Sequence, residues 1–237
     1  MEIKKEVLDK VEKDDGVRYA TVELKNRVEL IGVIDSELEL SYRTNHEGIY
    51  KFILKVPRLK KDVFDYLIIE APERGMKIER FSMGDNVKVT GQFRSLNRRE
   101  EGDTKSHMYL HIFAESIEPD DSDNKVNEIR LHGHLCKNPN FRVTRKGREI
   151  CDLLLAVNRY YGRCDYIPCI AWGRDARFAK EFSTGQGFYI VGRIQSRNYH
   201  KRLEDGTVIE KTAYEVSAVE IRETEKDEII TEERIIS

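Results

Sequence analysis

The feature that most constrains this chain is that it repeats itself at an offset near 101 residues. Phe81-Ser-Met-Gly-Asp-Asn-Val-Lys-Val-Thr-Gly91, continuing through Ser95 and Asn97, runs in register with Phe182-Ser-Thr-Gly-Gln-Gly-Phe-Tyr-Ile-Val-Gly192, continuing through Ser196 and Asn198. Upstream, Asn26-Arg-Val-Glu-Leu-Ile-Gly32 matches Asn127-Glu-Ile-Arg-Leu-His-Gly133, and Asp65-Tyr66 matches Asp165-Tyr166 with one residue of slip. Blocks that recur in order mean two copies of one folding unit. Between them Glu118-Pro-Asp-Asp-Ser-Asp-Asn-Lys125 is polar, contains Pro and has no apolar period, which reads as a linker. The expected layout is an N-terminal extension over 1–25, a first unit over 26–116, an acidic linker over 117–126, a second unit over 127–219 and an acidic tail over 220–237.

Each copy reads as strands. Residues 28–34 and 129–135 alternate apolar and polar side chains, the period of a half-buried strand. Further strands are expected at 150–157, 166–172, 187–196 and 213–219. One short helix fits between the third and fourth strands of the second copy, with Asp175 as its cap, Phe178 and Phe182 on one side and Gly185 as its stop. The matching piece of the first copy spans Glu73 to Phe81. The fold class is therefore all-β: two tandem five-stranded OB-fold barrels, each with one short helix between strands 3 and 4. Glycines inside strands (Gly32, Gly91, Gly133, Gly192) suit the bends of a small closed barrel.

Charge is unevenly distributed. The second unit carries 16 Lys and Arg against 10 Asp and Glu, the first carries 15 of each, and the tail is net acidic. A basic unit between acidic segments is the footprint of a polyanion partner. No apolar run approaches the roughly 20 residues that cross a bilayer, and the first residues lack the apolar core of a leader, so a cytoplasmic protein without membrane contact is expected. The four cysteines form no metal-ligand spacing and read as reduced thiols; no metal and no cofactor is expected.

Single-stranded nucleic acid offers open base faces and a charged backbone, and a binder tolerant of sequence answers with aromatic platforms interleaved with cations. The second copy has that pattern. Tyr161 lies beside Arg159 in the hairpin after the second strand, and Tyr166 and Trp172 are six apart on one strand, hence on one face. Tyr199 lies beside Arg197, Lys201 and Arg202 where the fourth strand is expected to enter a long loop. Trp172 and Phe178 read equally well as core packing. Arg142, Arg145 and Arg193 complete the candidate phosphate contacts.

In order and spacing, Asn-x-Ile-x-Leu-x-Gly-x-Leu (127–135), Asn138-Pro139, Leu155-Ala-Val-Asn-Arg159, Asp165-Tyr-Ile-Pro-Cys-Ile-Ala-Trp-Gly173, Gly192-Arg193, Ser196-Arg197 and Tyr199 resemble the DNA-binding domain of bacterial single-stranded DNA-binding proteins. The resemblance implies base stacking at four aromatic positions, which fall on Tyr161, Tyr166, Trp172 and Tyr199. In the first copy the same positions are Lys60, Tyr66, Pro72 and Arg98, so only Tyr66 offers a platform there, with Arg94 and Arg98 as candidate phosphate contacts. The family works with four barrels together, which implies a homodimer of this two-barrel chain, serving DNA replication, recombination or repair with replication or repair proteins as possible partners. The tail lacks the Pro-Phe ending by which housekeeping members recruit such enzymes.

Two other readings stand beside this one: a primosomal replication-restart protein on the same fold, and a protein–protein adaptor without strong DNA binding. Enzyme chemistry is not expected, since no nucleophile, carboxylate pair or phosphate loop is spaced around His132 and His134.

Overall fold

The computed structural model describes residues 25–74, 76–98, 106–159, 162–202 and 206–224. The first half forms β1 (Asn26–Ile34), β2 (Glu39–Arg43), β3 (Gly48–Pro57), β4 (Phe64–Pro72), β5 (Asn86–Arg98) and β6 (His107–Pro119). The second half forms β7 (Asn127–Leu135), β8 (Asn140–Val143), β9 (Glu149–Asn158), β10 (Cys164–Trp172), the helix α1 (Gly173–Ala179), β11 (Gly187–Arg202) and β12 (Val208–Glu223). In each half five strands close on themselves. β1 pairs with β3, β3 with β4, β4 in parallel with β6, β6 with β5 and β5 again with β1. The same ring runs β7, β9, β10, β12, β11. This is the OB barrel, and β2 and β8 are short additional strands on the outer edges of β3 and β9.

Alternation puts Val28, Leu30, Leu54, Leu67 and Phe93 inside the first barrel, and Ile129, Leu131, Leu155, Ile167 and Ile194 inside the second, all out of contact with solvent. Both barrels carry an irregularity where a glycine sits, at Thr90/Gly91 and at Val191/Gly192. A Cβ on Gly192 would stand 2.5 Å from the Ser217 carbonyl oxygen, and one on Gly91 would strike the Phe113 carbonyl. Only glycine allows the neighbouring strand that close. The opening asparagines are structural too. Asn127 donates to the Ile194 carbonyl (2.8 Å) and accepts from its N–H (2.8 Å), and Asn26 does the same to Phe93 at 2.7 and 3.0 Å.

The helices depart from expectation. In the first barrel the segment from Glu73 to Phe81 yields a single 3-10 turn, Ile78–Arg80. In the second, α1 begins directly after Trp172; Asp175 lies in its first turn and makes no cap, and the helix ends well before Gly185. β11 also does not stop for a loop but runs on through Tyr199 to Arg202, paired all the way with β12.

The barrels join through β1 and β7, which pair antiparallel with Val28 opposite Ile129 and Asn26 opposite Leu131. Val28 and Ile129 are repeat equivalents, so a pseudo-two-fold axis passes between them. The whole sheet, β2-β3-β4-β6-β5-β1-β7-β11-β12-β10-β9-β8, reads the same from either end once equivalents are exchanged.

Candidate nucleic-acid interface

The outer wall of the second barrel is set by strand parity. On β10 the even residues Tyr166, Pro168, Ile170 and Trp172 face outward while Ile167, Cys169 and Ala171 fill the interior. On β11 the odd residues Arg193, Gln195, Arg197, Tyr199 and Lys201 share a face, and their β12 partners are Ser217, Glu215, Ala213, Lys211 and Ile209. Since β10 pairs Ile170 with Ser217, these rows form one continuous surface. Tyr166, Trp172 and Tyr199 remain 44%, 38% and 36% exposed on it. Trp172 is therefore no core residue. Its indole N–H donates to Ser217 Oγ at 3.1 Å, which steadies the ring against β12 and leaves a face open. Phe178 is also exposed, at the edge of Phe182, which packs in turn on the buried Phe188.

The cations differ in how far they are already matched. Arg193, Arg197 and Lys201 make no ion pair among the described residues, although Glu215 stands in the row between them. Arg145 lies exposed in the β8–β9 turn. Arg202 has the opposite parity from Lys201 and points off this wall. Arg142 holds Asp152 with two bonds, 2.8 and 3.2 Å. Tyr161 lies outside the described residues.

Arg159 is better explained by the seam than by phosphate. Its guanidinium grips the buried Asp165, one bond being 2.6 Å, and donates to the Ser95 carbonyl of the other barrel at 3.2 Å. Asp165 accepts the Ser95 N–H (2.6 Å), and Tyr166 N–H donates to Ser95 Oγ (2.8 Å). The mirror set is complete. Arg58 grips Asp65 at 2.6 and 2.9 Å and donates to the Ser196 carbonyl at 3.0 Å, Asp65 accepts Ser196 N–H at 2.7 Å, and Tyr66 N–H donates to Ser196 Oγ at 2.9 Å. Asp65, Asp165, Ser95 and Ser196 recur in the sequence because they clamp the barrels together. Their signal was recurrence where the outer faces diverge; Arg58, the repeat equivalent of Arg159, belongs to the same signal.

The corresponding wall of the first barrel is filled from within. Glu70, fully buried, receives Arg98 (2.9 Å), Tyr42 Oη (3.3 Å) and Tyr109 Oη (3.3 Å), and lies 3.4 Å from His111 Nε2. Arg98 stacks on Tyr109 and Arg94 on Phe113, at 3.8 and 3.9 Å from the ring centres. Arg94 also donates to Gln92 at 3.2 and 3.3 Å, and its burial lowers its proton affinity. Burial, with Arg98 and Arg94 nearby, lowers His111 to about 3, so the ring is neutral near pH 7. The two arginines offered as phosphate contacts in this barrel are thus engaged internally. Tyr66, 43% exposed, stays open at the seam. Glu70, Tyr109 and His111 carry no local sequence signal; they are joined only by the pairing of β4 with β6.

Among known proteins, residues 126–224 match the Single-strand binding protein family. Curated relatives include a single-stranded DNA-binding protein of Enterococcus faecalis, 33% identical over 32% of this chain and 45% of that protein. Single-stranded DNA-binding protein 2 of Listeria innocua is 36% identical over 31% of this chain and 51% of its own length. The chain thus spans about half the length of these two relatives. A single-stranded DNA-binding protein of Thermus thermophilus matches more widely, at 26% identity over 71% of this chain and 74% of that protein. The crystal structure of the wild-type protein of that description from Thermus aquaticus superposes with a TM-score of 0.67 at 22% identity, covering 85% of this chain and 93% of that one, which shows the shared tandem-barrel fold. The match to the Single-strand binding protein family thus falls on the second barrel, residues 126–224.

Proposed function

We propose that this chain binds single-stranded DNA without strong sequence preference, through the outer wall of the second barrel, and serves DNA replication, recombination or repair. The observation that carries this is the union, on one wall, of three half-exposed aromatic rings with Arg193, Arg197 and Lys201, cations that make no ion pair among the described residues. Bases stack on Tyr166, Trp172 and Tyr199 while the backbone follows the cations. This is binding, not catalysis. An adaptor built only for protein contacts has no use for such a wall. By resemblance the working unit is two chains and four barrels, a number that light scattering after gel filtration reads directly.

The test is a titration of the full chain with poly-dT while following the fluorescence of Trp172, the only tryptophan. Quenching that saturates, and affinity that falls with salt, are expected. Unchanged fluorescence together with no binding by an independent method would rule this reading out.

A further inference from the structure

Beside the Arg159–Asp165–Ser95 clamp lies a groove of about 240 Å³ that belongs to neither barrel alone. Tyr166 and Arg163 of the second barrel line one side, and Leu96, Asn97 and Met108 of the first line the other. We propose that this groove is a shared nucleotide seat, through which a single strand lying on the second barrel passes onto the first. The proposal rests on the function proposed above and extends it to residues of the barrel whose own wall is closed.

The walls match one nucleotide. Tyr166 supplies a π-face, and Met108 and Leu96 supply soft apolar contact opposite it, a thioether being well suited to a flat aromatic group. Asn97 has no side-chain partner among the described residues, so its amide is available to a base edge. Arg163 is exposed and makes no ion pair among the described residues, and no carboxylate lines the groove. The volume lies below the roughly 300–1,000 Å³ of pockets for drug-sized ligands and suits a single flat group. The base of the groove is held by Arg159, which the buried Asp165 fixes in place, so little ordering remains to be done on binding.

The pseudo-two-fold axis supplies an internal control. The clamp is made twice, but Leu96 and Met108 line the groove in one copy only. In repeat register, Leu96 becomes Arg197 and Met108 becomes Thr212 beside Tyr66. There Thr212 Oγ1 donates to Asn198 Oδ1 at 3.0 Å, so that amide is already engaged. The copy with the free amide and with Leu96 and Met108 is the one lined by Tyr166, itself a ring of the aromatic wall.

The test uses the full chain and end-labelled oligothymidylates of two lengths, read by fluorescence anisotropy. One is roughly eight nucleotides, within the span of a single OB barrel, and one roughly thirty, which must leave it. Met108→Glu and Arg163→Glu should each weaken the longer oligonucleotide roughly tenfold, the scale of one lost base contact, and change the shorter by under about twofold. Thermal melting checks the fold. If Met108→Glu melts early, the exposed Arg163→Glu decides. Trp172→Ala separates the two levels of inference. If it weakens both lengths while the groove variants weaken neither, or weaken both lengths equally, the shared seat is wrong and the binding function stands. If Trp172→Ala also has no effect, the aromatic wall of the second barrel is not where the strand lies, and if the parent chain binds neither length the binding function itself fails.

Discussion

Where the second barrel carries Ile170 on its outer wall, the first carries Glu70, and the neighbours change with it. By strand register Tyr199 corresponds to Arg98, Ala213 to Tyr109, Gln195 to Arg94, Glu215 to His111 and Arg142 to Tyr42. A buried carboxylate needs partners, because leaving it unpaired costs several kcal/mol. In the first barrel Arg98, Tyr42 and Tyr109 meet that need, and in doing so they commit a cation and two hydroxyls to Glu70, although Arg98 and Tyr42 themselves remain partly exposed. The isoleucine of the second barrel makes no such demand, so its aromatics and cations stay outward. One substitution at the centre of a shared frame thus separates a wall that is satisfied within itself from one that can take a ligand. The clamp at the seam shows the opposite behaviour, being the same on both sides.

The largest expected effect tests that sameness. Asp65→Ala and Asp165→Ala each remove the acidic half of a buried pair and leave Arg58 or Arg159 unmatched. Each should lower stability by roughly 3–5 kcal/mol, measured by urea denaturation, breaking a buried pair being worth that much. The two losses should agree. If only one substitution destabilises the chain, the seam is not the symmetric element its hydrogen bonds describe.

A smaller effect separates the walls. Trp172→Ala should weaken oligothymidylate binding by about 1–3 kcal/mol, the worth of one stacked base. Arg98→Ala should leave binding nearly unchanged and lower stability instead, because it leaves Glu70 without its cation. Equal losses of affinity from both would mean that the ionic cluster opens to DNA and that the contrast between the barrels is false.

The frame was legible in the sequence because it is written in period two. Val28, Leu30, Ile129 and Leu131 alternate as strand residues must, and the recurring glycines mark where strands crowd. The aromatic wall was legible in part, because Tyr166 and Trp172 share one strand face by spacing and Tyr199 lies beside cations along the chain, whereas Trp172 read equally well as core. The clamp was half legible: Asp65, Asp165, Ser95 and Ser196 recur, but recurrence alone does not say that each reaches the other copy. The Glu70 cluster was not legible. Its members come from β2, β4, β5 and β6, and only barrel closure brings them together, so Arg94 and Arg98 read as free cations. The extent of β11 was hidden as well, since Tyr199 to Arg202 is polar and exposed and stays extended through pairing with β12.

The next effect belongs to the first barrel alone. The pKa of His111 is lowered to about 3 in the folded chain, against an ordinary value of about 6.5 once unfolded. Above pH 6.5 neither state binds the proton and stability is at its full value. Between 6.5 and 3 the unfolded chain binds it and the folded chain does not, so stability falls by up to about 1.4 kcal/mol per pH unit as the pH drops. Urea midpoints from pH 7 to 5 should show that slope, and His111→Gln should flatten it. A slope that survives the substitution would place the acid sensitivity outside the Glu70 cluster.

The smallest effect lies within the second barrel and separates cations that are near each other but differently matched. Arg193 and Lys201 have no ion pair among the described residues, whereas Arg142 is held by both oxygens of Asp152. A free cation that meets a phosphate releases a counterion, and each such contact contributes about 0.7 to the slope of log affinity against log salt on single strands. A cation already matched by a carboxylate brings little net charge to the strand and releases correspondingly less. Lys201→Ala and Arg193→Ala should therefore each reduce the slope by about 0.7, while Arg142→Ala should leave it within error of the parent chain. Titrations of poly-dT across several salt concentrations, with each variant at one pH, decide the matter. If Arg142→Ala reduces the slope as much as Lys201→Ala does, Asp152 gives up its partner on binding, and the ion pairs of the unbound chain are no guide to which cations meet phosphate.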